Sequence, residues 1–373
     1  MNELCKKLGI EVPIFAFSRS PDVVIAVSKA GGLGVLGAIG WQLHELDEIL
    51  DYIDANIDGR SYGADVVMPA VHVGKGQDIT KDGLEAMIPA AHRAFVDKVL
   101  ADHGVPALPA DATPTETLIQ WTRERTMPQV DMVLKRPIKL LANALGPPPE
   151  DVIARAHDQG VLVGALSGSP RHALKQISAG VDVIIAQGTE AGGHCGDVST
   201  FVNVPDVVDA VAGRAHVLAA GGVGSGRQLA AALALGAEGA WCGSVWLTTT
   251  DSAEPDFIKN ALLAAGSRDT VRSKALTGKP ARQLKTPWTQ AWSAKANPDP
   301  LPMPLHFMLI ADAVQRMRTH AEDNPESDAA RMVPNPVGQI VGRMNKPIGA
   351  GELVNAMVDE CRSTIARLAG LGL

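Results

Sequence analysis

The chain has 373 residues, 46% of them hydrophobic, and a formal net charge of −7. A chain this long and this apolar is far from a disordered composition and buries a core without staples. The acidic balance offers no Lys/Arg stripe, which excludes a general nucleic-acid binder, and no run of about 18 apolar residues exists to form a membrane span.

The four cysteines (Cys5, Cys195, Cys242, Cys361) include no C-x-x-C pair, which points to a reducing compartment. Lys6 and Lys7 are followed by Glu11 and Pro13 rather than by an apolar stretch, so the start does not read as a signal peptide and a cytoplasmic location is expected.

In chain order, residues 13–17 (PIFAF) read as a strand and PDVVIAVSKAG as a helix ended by Gly31. Residues 33–37 are a second strand. Leu43, Leu46, Leu50 and Ile53 then recur at helical spacing. The HELDE within that helix lacks a second histidine at zinc spacing and reads as a solvated face. Residues 62–69 form a third strand and 138–145 a fourth, followed by Pro147, Pro148 and Pro149 opening a helix. Strands five to eight fall at 161–166, 181–186, 215–222 and 238–244. Near-continuous apolar strands suit a parallel sheet covered by helices. Eight such units predict an α/β fold of the TIM (β/α)8 barrel type, with a doubly wound open sheet as the competing topology.

A barrel needs about 250 residues, and the surplus sits in two places. Residues 70–135 form a charged, helical insertion after the third strand. Residues 252–345, rich in Pro and Trp, form a lid or substrate segment after the eighth. Both emerge at the C-terminal face, where lids grow. Trp288 and Trp292 are four apart and read as packing on one helix face. Residues 346–373 read as an amphipathic helix docking on the barrel or on a partner, which leaves a homodimer open.

The glycines differ in meaning. Gly32, Gly34 and Gly37 match G-x-G-x-x-G, but they follow a helix and contain the strand, whereas a dinucleotide fingerprint follows a strand and opens a helix. They read as a helix end and close packing. Gly221 and Gly222 end the seventh strand, Gly224 and Gly226 lead into RQLAAALAL, and the eighth strand ends at Cys242, Gly243 and Ser244. In barrels a phosphate often binds between these two loops, where glycine lets backbone N–H groups come close. A phosphate site is therefore expected there.

AQGTEAGGHCG (186–196) follows the sixth strand, beside those loops. His194 on a Gly192-Gly193 hinge does not fill a core; it reads as a general base or hydrogen-bond donor facing a cofactor or substrate. A rival reading makes Cys195 a nucleophile. Adjacent loop residues rarely meet productively, which favours a small loop residue instead.

AQGTEAGGHCG together with VLAAGGVGSGRQLAAALALGAEGAWCGSVW resembles the nitronate monooxygenase family, formerly called 2-nitropropane dioxygenases. These are FMN-dependent TIM-barrel enzymes, close to NAD(P)H-dependent quinone reductases and FMN-dependent enoyl-acyl-carrier-protein reductases. The resemblance covers about 1–70 and 138–250. SKALTGKPARQLKT also resembles the family's Thr-Gly-Arg-x-Ala-Arg segment, with Lys279 in place of the first arginine and Arg282 retained. The resemblance does not extend to residues 71–135 and 295–345.

The resemblance implies a barrel over 1–251 carrying FMN, a lid over 252–345 and a C-terminal helix. It implies FMN contacts from Gln187, Gly192 and Gly193. The phosphate would lie on Gly221 and Gly222, helped by Trp241, Cys242, Gly243 and Ser244. Ala16 and Phe17 would face the ring, where most members have Pro-Met. Asp65 stands where the family usually has asparagine; beside a reduced, anionic flavin a carboxylate is repelled unless it is protonated or turned away.

With His194 as the catalytic residue, the implied activity is oxidation of a small alkyl nitronate by molecular oxygen to a carbonyl compound and nitrite. The motifs equally suit an FMN-dependent NAD(P)H reductase of quinones or enoyl thioesters, with a reducible acceptor in place of oxygen; donor preference separates the two. A non-enzymatic flavin- or phosphate-binding protein is the third reading, and the placement of His194 argues against it.

Overall fold

Eight apolar runs and their turns become a closed barrel. The computed structural model describes residues 2–68, 81–109 and 123–371. The strands are β1 (Ile14–Ser18), β2 (Leu33–Gly37), β3 (Tyr62–Asp65), β4 (Leu140–Asn143), β5 (Leu162–Ser167), β6 (Val183–Gln187), a two-residue β7 (Gly193–His194), β8 (His216–Ala220), β9 (Gly239–Cys242), β10 (Thr270–Ser273) and β11 (Ala281–Leu284). The barrel order is β1-β2-β3-β4-β5-β6-β8-β9, all parallel, and β9 pairs back to β1 with Phe15 beside Trp241. The predicted (β/α)8 topology holds and the open sheet does not. β3 and β4 stop earlier than their apolar runs because Asn143 ties the two outgoing loops together. Its Oδ1 accepts the Met68 N–H at 3.0 Å, and its Nδ2 donates to the Met68 carbonyl at 2.9 Å.

Alternation along the strands sorts side chains into two cores. Phe15, Leu33, Val35, Leu140, Val183, Ile185, Leu218 and Trp241 fill the barrel. Leu36, Ala64, Leu141, Val163, Ile184, Val217 and Ala219 face outward beneath the helices. Each fully buried Leu or Ile contributes about 1.5–3 kcal/mol relative to exposure. A helix that the periodicity did not reveal, Glu3–Leu8, adds Leu4, Cys5 and Leu8 to the interior core. It is capped by Asn2, whose Oδ1 accepts the Cys5 N–H at 2.9 Å.

Two helices at the ends of the added segments complete the barrel. Helix Arg123–Leu134 buries Val130 and Val133 in the outer core beside helix Leu43–Asn56, so it is the barrel's own third helix. The extra chain between β3 and that helix is correspondingly shorter than 70–135, and includes helix Ala90–Asp102. The eighth helix is the C-terminal one. Ala350–Ala369 packs between helix Gly226–Ala234 and helix Pro21–Lys29, closing the outer ring. Everything from the end of β9 to residue 349 is thus an excursion between the eighth strand and the eighth helix.

Within that excursion β10 and β11 pair with β7 in a three-stranded antiparallel sheet, order β10-β11-β7, at the end of the barrel where β6 finishes. Trp288 and Trp292 pack edge-on at 5.9 Å on helix Pro287–Ser293, and Phe95 of the earlier insertion meets Trp292 at 4.7 Å. Arg316 donates to the Pro106 carbonyl at 2.7 Å. The two added segments therefore share one core. Among the described residues, no helix is long and apolar enough to cross a membrane.

Gly226 marks the contact of the last two barrel helices. A Cβ there would lie 2.2 Å from the Met357 carbonyl oxygen and 2.3 Å from the Cys361 nitrogen, both backbone atoms that cannot rotate away. Gly226→Ala is expected to force the helices apart at a cost of about 1–3 kcal/mol, read as a fall in Tm of roughly 1–4 °C. An unchanged Tm would show that the C-terminal helix is loosely held.

Candidate active site

The site is built from the C-terminal ends of the strands, where the chain turns outward. The same parity that places Trp241 inside the barrel points Phe17, Asp65 and Gln187 into its mouth. Phe17 and Trp241 stack with ring centroids 6.2 Å apart and planes 24° from parallel. Ala16 and Cys242 have the opposite parity. They lie in the core beneath the helices with Val23 and Val27, so only their backbone can meet a ligand in the mouth. Burial pushes the Cys242 thiol up to about 12.

Asp65 is 2% exposed. It makes no ion pair or side-chain hydrogen bond among the described residues, and desolvation pushes its carboxyl up to about 7. A carboxyl at that value is substantially neutral near pH 7, the state in which it can sit beside an anionic ring.

The loops after β8 and β9 offer an anion cradle. Among the described residues, the backbone N–H groups of Gly222, Val223 and Gly243 meet no acceptor. Gly222 takes the left-handed φ of 73°. The space a Cβ would occupy at Gly193 is open, and at Gly243 only Phe17 comes within 4 Å. Helix Gly226–Ala234 starts from these loops without a side-chain cap at Ser225, and its first turn is covered by Glu360, whose Oε2 accepts the Arg227 N–H at 3.3 Å. The adjacent carboxylate, Glu190, is engaged by the Thr200 N–H at 2.9 Å and the Thr200 hydroxyl at 2.8 Å.

Three other expected residues have structural work as well. The Gly221 carbonyl oxygen lies 2.9 Å from the Thr200 hydroxyl oxygen and shares its proton with Glu190. Ser244 Oγ accepts the Gly338 N–H at 2.8 Å. Gly192 lies so close to Val337 and Gly338 that a Cβ would come within 2.8 Å of their backbone.

His194 sits on β7 opposite Ala281 of β11, half-buried, with Nε2 2.7 Å from Thr277 Oγ1. Burial, and then the charge of Lys279, lower its pKa to about 4. The imidazole is therefore neutral throughout the physiological range. Cys195 does not partner it: the thiol donates to the Thr189 carbonyl at 3.6 Å, and burial raises its pKa. A nucleophilic thiol needs the opposite shift.

The histidine's support was missed in the sequence. Thr277 lies in the turn between β10 and β11, far from His194 along the chain, and only the Thr-Gly-Lys segment signalled it. Arg282 binds the Thr189 carbonyl at 2.7 Å and Thr270 Oγ1 at 3.2 Å, which locks the small sheet to the loop after β6. Gln283, on the same sheet face as His194, is fully buried, and neither amide atom has a partner among the described residues. A cavity of about 320 Å³ behind β8 is lined by Gly221, Gly222 and Val223 of the cradle together with Glu190 and Arg343, and not by Phe17, Asp65, Gln187 or His194.

Comparison with known proteins gives a consistent result. Residues 2–360 match the family described as nitronate monooxygenase. A Mycobacterium tuberculosis chain, Rv1533, which carries the general name monooxygenase, is 47% identical over 98% of this chain and 97% of its own length. A Staphylococcus aureus chain named as a nitronate monooxygenase is 30% identical over 78% of this chain and 80% of its own. In structure, a nitroalkane oxidase from Streptomyces ansochromogenes superposes with a TM-score of 0.79 at 25% identity, covering 96% of this chain and 98% of the other. FabK from Thermotoga maritima shares the fold, with a TM-score of 0.70 at 23% identity over 100% and 99% of the two chains.

Proposed function

This chain belongs to the nitronate monooxygenase family of oxidoreductases, and on that premise we infer that it holds FMN at the barrel mouth and oxidises alkyl nitronates with molecular oxygen to a carbonyl compound and nitrite. The observation that carries the reading is the meeting, on one rim, of a neutral imidazole at His194 with unpartnered backbone amides at Gly222, Val223 and Gly243. The phosphate of FMN suits those amides, with Gly221 and Ser244 beside them. Phe17, Asp65, Gln187, Gly192, Gly193 and Trp241 would hold the ring system, and Ala16 and Cys242 would contribute backbone alone.

Bound there, FMN supplies the electron transfer between nitronate and oxygen that no side chain in this set can perform. The rest falls to the protein. Asp65 in its neutral form donates a hydrogen bond where its anion would repel. His194 has two roles open to it by residue type, general base or orienting group. A conjugate acid near 4 makes it a weak acceptor for a carbon-bound proton at neutral pH. A neutral imidazole held by Thr277 is instead a good hydrogen-bond partner for an oxygen of a nitronate that is already ionised. We therefore assign His194 the orienting role.

The test is anaerobic mixing of the purified flavoprotein with an alkyl nitronate and, separately, with NADH and NADPH. Rapid bleaching of the flavin absorbance by nitronate, and not by either nicotinamide, is the expected result. Rapid bleaching by a nicotinamide alone would overturn it and make the chain a reductase of quinones or enoyl thioesters.

A further inference from the structure

We propose that Lys279 is the anion-selecting residue of this site: its ammonium group, set beside His194 by the turn between β10 and β11, makes the chain prefer a substrate that arrives already negatively charged. The inference rests on the nitronate reading above and specifies which form of the substrate binds.

The turn is built to hold one shape. Gly278 takes φ 83°, and a Cβ there would lie 2.0 Å from the Leu301 carbonyl oxygen, so the turn is pressed against that segment. Its N–H donates to the Lys274 carbonyl at 2.9 Å. The Trp288 indole donates to the Ala275 carbonyl at 3.0 Å and anchors the other side. The Lys279 N–H then donates to Thr277 Oγ1 at 3.3 Å, the same oxygen that lies 2.7 Å from His194 Nε2. The backbone of Lys279 is thus fixed one hydroxyl away from the imidazole.

Lys279 is half-buried and pairs with no carboxylate among the described residues. Other charged groups of the small sheet and of the loop after β6 are engaged elsewhere. Arg282 binds Thr189 and Thr270, Arg272 donates to the Gly196 carbonyl at 2.9 Å, and Glu190 is held by Thr200. What remains around Thr277 is a neutral imidazole and a lysine with no carboxylate partner among the described residues. Burial lowers the lysine's pKa, and its charge in turn disfavours a proton on His194. A small planar oxyanion relieves both at once, through a charge-assisted hydrogen bond from the ammonium and a neutral one with the imidazole. A neutral nitroalkane relieves neither.

The test compares the wild-type holoenzyme with Lys279→Met and Lys279→Arg. Losing a hydrogen bond to a charged group costs about 10- to 100-fold in affinity. K279M is expected to raise KM for an alkyl nitronate at least about tenfold, with most of the loss in KM rather than kcat, and K279R to restore most of it. The fall of wild-type kcat/KM with rising salt should disappear in K279M. Nitrate, a planar oxyanion that cannot be oxidised, gives a readout independent of turnover: its Kd, from perturbation of the flavin spectrum, should weaken by the same factor. If nitronate is turned over but KM, salt response and nitrate Kd are unchanged in K279M, this inference fails while the nitronate reading stands. If the wild type ignores nitronate, that reading fails, and weakened nitrate binding in K279M would still assign the anion site to Lys279.

Discussion

Replacing Asp65 with asparagine is expected to stabilise the apoprotein at pH 8 by up to about 4 kcal/mol, and by almost nothing at pH 4. The carboxyl is pushed from the ordinary aspartate range up to about 7, by burial without a partner. Below the unfolded pKa near 4 both states bind the proton and the residue costs little. As pH rises toward 7 the unfolded chain releases its proton while the folded chain retains it, so stability falls, and the deficit is complete once the folded carboxyl ionises. A shift of about three pKa units corresponds to about 4 kcal/mol. Asparagine has the same shape and no charge, so its advantage should grow between about pH 4 and 7 and level off above that in denaturant titrations of the two proteins. A loss of stability in D65N that is the same at every pH would instead show that the carboxylate is paired.

The pH trend of the parent protein contains opposing contributions. His194 and His306 are both held near 4 by burial. Their depressed values give stability that is present above about 6.5 and lost as pH falls through 4, equivalent to about 3 kcal/mol each. Measuring D65N against the parent at each pH cancels these histidines and isolates Asp65.

The second large effect concerns catalysis. His194→Asn in the FMN-loaded enzyme is expected to lower kcat/KM for an alkyl nitronate by about 10²- to 10³-fold, the loss of a positioned group acting at the reacting centre. Thr277→Val should act in the same direction but only about 3- to 10-fold, because it removes one hydrogen bond and leaves the imidazole in place. The comparison with neutral nitroalkane separates the two roles of the histidine. An orienting group is needed for the preformed nitronate. A general base is needed for the nitroalkane only. If H194N spared nitronate turnover and abolished nitroalkane turnover, the orienting role would be wrong.

How much of this was legible beforehand follows from what each signal depends on. The eight barrel strands were readable because parallel strands are apolar on both faces and bounded by glycine and proline. That same property hid their parity. With both faces apolar, nothing in IFAFS or GAWC says which residue turns inward, and so Ala16 and Cys242 stood in the sequence beside Phe17 and Trp241 as equal candidates. β7, β10 and β11 were invisible for the opposite reason. Gly193–His194, TVRS and ARQL are too short and too polar to show a period. His194 could be picked out by its glycine hinge, whereas Thr277 and Lys279 reach it only through the pairing of β7 with β11. The state of Asp65 depends on the burial around it, which no local residue pattern reports.

The excursion between β9 and the last helix has a consequence for biosynthesis. When a growing chain has emerged as far as Cys242, all eight barrel strands exist, but the helix that covers the seam between Gly226–Ala234 and Pro21–Lys29 has not been made. Val23, Val27, Leu229 and Ala230 then wait for Val354, Met357 and Cys361, which arrive only after the whole excursion has left the ribosome. The nascent barrel is therefore an open-sided, sticky species for as long as that stretch takes to translate. Losing helix Ala350–Ala369 would leave every site residue present and the ring unsealed.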